Sequence, residues 1–149
     1  MPHHHERREL PFSAEQMYDL VADVKKYPQF LPWVSGIRIT SNSETEMLAD
    51  MIVGFKSLRE TFSSRVIKQP KTQIEVDYLD GPMKHLHNVW KFEDRPGGGC
   101  LIDFTVDFSF HNAVFEALAG QFFDAALRKM TSAFNDRAEE LYGSSNSNA

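Results

Sequence analysis

Scarcity bounds this chain before any motif does. It has one cysteine, two tryptophans and fewer basic than acidic residues in 149 positions. Cys100 cannot close an intramolecular disulfide or supply a cysteine-rich zinc site, and no catalytic signature surrounds it, so a reducing compartment is expected. No uninterrupted apolar run approaches the ~18 residues of a membrane-spanning helix. The opening MPHHHERREL is neither a secretory signal nor an amphipathic transit peptide. Sixteen Lys and Arg against 21 Asp and Glu leave a net charge of -5, which argues against a general nucleic-acid binder and predicts no DNA partner. Gly97-Gly98-Gly99 is not a phosphate loop, because it lacks Gly-Lys-Ser/Thr and leads into a strand. There is no nucleophile elbow, no acid/base pair placed by spacing and no internal repeat, so an enzyme is not expected. The length allows one domain of the usual ~100–150 residues. A chain of this size buries about 68–70% of its unfolded surface and needs no covalent staple.

What the chain has in excess is phenylalanine, 12 residues against four Tyr and two Trp. Most of its aromatic surface therefore carries no hydrogen-bonding group and has to leave water. Glu6 to Leu10 reads as a polar first strand ended by Pro11. Ser13 with Gln16 three residues on forms a capping-box signal, and Met17, Leu20, Val21 and Val24 give the helix behind it an apolar stripe. KKYPQFLPW (Lys25 to Trp33) holds two prolines that restrict their predecessors, leaving room for a short helical turn. Alternating segments then run to Phe110, separated by turns at Ser41-Asn42-Ser43, Gln69-Pro70-Lys71, Asp80-Gly81-Pro82 and Arg95 to Gly99. The last is the most regular, with Ile102, Phe104, Val106, Phe108 and Phe110 set against Asp103, Thr105, Asp107 and Ser109. From Asn112, an N-cap residue, the period changes to 3.6 and runs to about Tyr142, with Gly143 as C-cap.

Six successive strands joined by short turns predict an antiparallel sheet, and one long amphipathic helix is available to cover its inner face. The fold expected is α+β: about seven strands curved around a long C-terminal helix, two short helices between the first two strands, and the first strand paired at an edge with the last. Residues 1–143 form one domain in this reading, and 144–149 a solvated, disordered tail.

Four segments, PFSAEQMYDLVADVKKYPQFLPW, VGFKSLRETFSSRV, LDGPMKHLHNVWKF and GGCLIDFTVDFSF, occur in order. Together they resemble the coenzyme Q-binding protein family, which also includes bacterial ribosome-association toxin homologues. The similarity extends from about Glu6 to Gly143. It implies the START-like helix-grip fold of the polyketide cyclase and lipid-transport superfamily, with an apolar cavity under the C-terminal helix. It implies a noncatalytic carrier or chaperone for a polyprenyl quinone such as ubiquinone, supporting respiration, with no cofactor required beyond that ligand. The alternative it implies is a protein that binds the large ribosomal subunit and blocks subunit joining. The expected location is the bacterial cytoplasm with peripheral contact at the inner membrane, or the matrix face if mitochondrial.

Inward-facing Phe62, Tyr78, Trp90, Phe104, Phe108, Phe122 and Met130 are the candidate cavity lining. The competing reading is a close-packed core. Tyr78 and Trp90 carry the polar groups that a quinone head could use, or that a buried backbone group could occupy instead. Phe30, Leu31 and Trp33, beside Lys25 and Lys26, are candidates for a lid or membrane-touching lip; packing against the open end of the sheet is the alternative. Glu60 shares the face of Leu58 and Phe62 and is the candidate polar group at the cavity mouth. His85 and His87 face one way without an evident third ligand, and His3, His5 and Glu6 are similarly incomplete, so no metal site is expected. Arg59, Arg65, Lys68, Arg128, Lys129 and Arg137 are the basic residues available to a ribosome-facing surface.

Overall fold

The computed structural model describes residues 3–55, 58–81, 83–110 and 128–143. β1 (His3–Leu10) leads into α1 (Ala14–Ala22) and a 3-10 helix (Val24–Gln29). The meander follows as β2 (Val34–Asn42), β3 (Glu46–Phe55), β4 (Leu58–Gln69), β5 (Gln73–Asp80), β6 (Met83–Asp94) and β7 (Cys100–Phe110). Residues 128–138 are α-helical, and a π-helical turn, Glu139–Gly143, ends the described chain. The seven strands form one antiparallel sheet in the order β1-β7-β6-β5-β4-β3-β2, so β1 closes one edge beside the last strand, as expected. The expected helix start at Asn112 and the expected tail fall outside the described residues.

Local chemistry explains the entry to the fold. Ser13 Oγ accepts from Gln16 N–H and the Gln16 side chain accepts from Ser13 N–H, completing the capping box. Asp94 at the end of β6 accepts from Ala14 N–H at 2.8 Å, which fastens the start of α1 to the sheet. Tyr27 in the 3-10 helix donates its hydroxyl to the Val21 carbonyl, and burial, with a contribution from Asp23, pushes its pKa well up. α1 and the 3-10 helix carry the chain from one sheet edge to the other, burying Phe12, Met17, Leu20, Val21 and Val24.

Two boundaries differ from expectation. β1 begins at His3, three residues early, because His3 and His5 bond Asp107 and Asp103 across the β1–β7 seam. Arg7 reaches Asp103 as well; burial raises the carboxyl's pKa, but the hydrogen bonds from Arg7 and His5 outweigh it and hold the group low. β2 runs through Asn42, so the turn lies at Ser43, whose Oγ accepts from Glu46 N–H.

The register divides the sheet cleanly. Ile102, Phe104, Val106 and Phe108 of β7 stand opposite Phe92, Trp90, Asn88 and Leu86 of β6. With Ile74, Val76 and Tyr78 on β5, Phe62, Ser64 and Val66 on β4, and Met47, Ala49 and Met51 on β3, they form the inner face.

Candidate functional site

The inner face has two halves of different character. At the β6–β7 end, Trp90 and Phe104 lie ring against ring with centroids 4.3 Å apart. Phe134 of the C-terminal helix meets Trp90 at 5.5 Å, Tyr27 at 5.4 Å and Phe30 at 5.2 Å. Trp90, Phe104 and Phe134 are all buried. The cavity beside them, between β1, α1, β7 and the helix, holds about 30 Å³. It is roughly a tenth of the ~300 Å³ at which ligand pockets begin. This half is packed.

A polar row borders that cavity. His4, Glu6 and Arg8 stand opposite Val106, Phe104 and Ile102, so β1 turns three ionisable side chains inward. Glu6 accepts from His4 at 3.1 Å and lies 3.4 Å from Arg8, whose guanidinium donates to Thr131 Oγ1 at 3.3 Å. Glu6, Arg8, Thr131 and Asn135 supply the cavity's polar lining. Periodicity did not reveal this row, because HHHERREL is polar on both faces; only pairing with β7 assigns its sides.

At the β3–β5 end the same face is more open. Met51, Phe62, Val76, Tyr78 and Leu86 are half-buried, and Phe62 meets Tyr78 edge to face at 6.2 Å. The Tyr78 hydroxyl accepts from Met83 N–H at 2.8 Å, and Trp90 Nε1 donates to Asn88 Oδ1 at 3.0 Å. Both polar groups of the candidate lining thus have partners within the chain. Phe108 is buried, Met130 half-buried, and Phe122 lies outside the described residues. Glu60 does take the inner-face register, opposite Val53, but is exposed.

Of the lid candidates, Leu31 is buried. Phe30 is half-buried between Tyr27 and Phe134, with the Arg137 guanidinium 5.4 Å above its ring. Arg137 also donates to Gln29 at 2.8 Å, tying the helix to this segment. Trp33 is half-buried against the core.

The six basic residues do not share a surface. Arg59 and Arg65 lie on the outer face of β4, Arg128 and Lys129 are exposed on the helix, and Arg137 is packed on Phe30. Lys68 faces inward and is buried; it donates to Asn42 Oδ1 at 2.7 Å. Burial lowers its pKa, against the opposing charge of Glu44. Among the described residues no helix is long and apolar enough to cross a membrane.

The model of the polyketide cyclase / dehydrase and lipid transport family matches residues 10–135. The chain is similar to the ribosome association toxin RatA of Pseudomonas aeruginosa, 37% identical over 90% of this chain and 93% of the relative. It is also similar to the mitochondrial coenzyme Q-binding protein COQ10 homolog B of Xenopus laevis, 36% identical over 93% of this chain and 58% of that protein. The crystal structure of the Zhui aromatase/cyclase from Streptomyces sp. R1128 superposes with a TM-score of 0.81. It is 16% identical, and 93% of each chain is covered, which is a likeness of fold alone.

Proposed function

Since the chain belongs to the polyketide cyclase / dehydrase and lipid transport family, we propose that it is a noncatalytic carrier of a polyprenyl quinone or a similarly apolar lipid. The observation that carries this reading is the half-buried aromatic surface around Phe62 and Tyr78 on the concave side of the sheet. Such a surface gains about 0.8 kcal/mol for each ligand methylene it removes from water. The Trp90–Phe104–Phe134 end offers about 30 Å³, which supports a ligand placed toward β3–β5 rather than there. Tyr78 spends one lone pair on Met83 N–H; its O–H proton is the donor that a quinone carbonyl needs. The relative named for coenzyme Q binding supports the same ligand class. Glu60 is exposed and is assigned no step of chemistry.

The protein purified from cells and extracted with organic solvent should yield quinone. If none co-purifies and none binds on addition, the carrier reading fails.

A second reading is favoured by the near-full-length similarity to RatA: docking on the large ribosomal subunit to block association. The scattered placement of the basic residues gives it less support than the half-buried aromatic surface gives the first. Overexpression should then deplete joined ribosomes in a gradient profile, and an unchanged profile removes this reading.

A further inference from the structure

The outer side of the sheet carries a donor cluster that plays no part in the inner face. β5 presents Glu75 and Asp77 two residues apart, on one face, and β6 presents His87 directly across from Asp77. His87 Nε2 lies 2.8 Å from a Glu75 carboxylate oxygen and 3.5 Å from one of Asp77. One donor atom from each of the three falls within 4.8 Å of the others. The sequence pattern pairs His87 with His85; the register instead gives His87 two carboxylates from the neighbouring strand.

Hydrogen bonding does not use this arrangement fully. A proton on Nε2 is shared well with one carboxylate at a time, and 3.5 Å is too long for a good second bond. Arg65, opposite Asp77 on β4, has its guanidinium 3.8 Å from Glu46. Two carboxylates therefore converge on one imidazole nitrogen. A divalent cation satisfies all three donors at once, and separations of 2.8 and 3.5 Å are polyhedron edges for metal bonds of about 2.0–2.2 Å. One imidazole nitrogen with two carboxylates favours a borderline first-row ion over calcium or magnesium, which take oxygen donors. Asp107 of β7, opposite His87 on its other side, is bonded by His3 and leaves the pair of β5 carboxylates as the ring's partners.

We propose that Glu75, Asp77 and His87 form a surface site for a divalent first-row transition ion such as Zn²⁺, with water completing its coordination. Asp77 and His87 are the last ladder pair before β5 and β6 part toward their hairpin, so the ion clips that end.

The test is calorimetric titration of the full chain with Zn²⁺, with Co²⁺ absorption reporting the ligand field. One ion per chain is expected. His87→Ala should abolish the site, and Glu75→Gln or Asp77→Asn should weaken it at least about tenfold, the loss that even an outer-sphere partner typically causes. His85→Ala should leave it unchanged. Circular dichroism of each variant separates lost binding from lost fold, and the carboxamide variants keep the test intact if His87→Ala misfolds. No binding by the wild type overturns the proposal. So does binding that survives His87→Ala and disappears on replacing His3 and His5.

Discussion

Phe104 and Phe62 occupy the same face of the same sheet, yet their rings do different work. Phe104 is 4% exposed and packed closely against Trp90, so truncation leaves a cavity that rigid neighbours cannot fill. Phe104→Ala should cost about 3–5 kcal/mol of unfolding free energy by chemical denaturation. Phe62 is half-buried, and Phe62→Ala should cost only about 1–2 kcal/mol while weakening quinone binding in the same preparation. A larger stability loss at Phe62 than at Phe104 would reverse the assignment of packed and open ends. The facing of both residues was legible in the sequence, because one dry and one wet side impose period 2. Their difference in burial was not, since periodicity reports direction and not what stands opposite.

At the scale of elements, the seam between β1 and β7 depends on backbone that only glycine tolerates. Gly99 has φ +79°, and a Cβ there would press into the Leu10 carbonyl oxygen. Gly97 has φ +90° but open space around it. Gly99→Ala should therefore raise amide exchange along His3–Leu10 and lower stability by more than the ~1–2 kcal/mol of the left-handed backbone alone. Gly97→Ala should show only that backbone cost; equal effects would place the clash elsewhere. The elements most visible in the sequence were those with a single apolar face: α1 with its Ser13/Gln16 box, and β7. β1 was visible as a strand but not as a cavity border, because His4, Glu6 and Arg8 acquire an inside only by lying against Val106, Phe104 and Ile102. The Glu75/Asp77/His87 cluster was hidden for the same reason, being assembled across a hairpin by register.

For the whole molecule, one architecture serves relatives named for coenzyme Q binding and for ribosome association. The inner face and the outer face are separate chemical surfaces of a single sheet, so a ligand inside and a partner outside need not compete for residues. Cys100 offers a way to watch that sheet come apart. It is fully buried opposite Leu10 at the end of the seam, and burial, with Asp94, pushes its thiol up to about 11. A free thiol ionises near ~8.5 and reacts readily. A disulfide reagent mixed with the folded protein should thus modify Cys100 only as fast as β1 lifts away, making the lone sulfur a stopwatch for edge opening. Labelling at the speed of free cysteine would mean that the edge strand spends its time undocked.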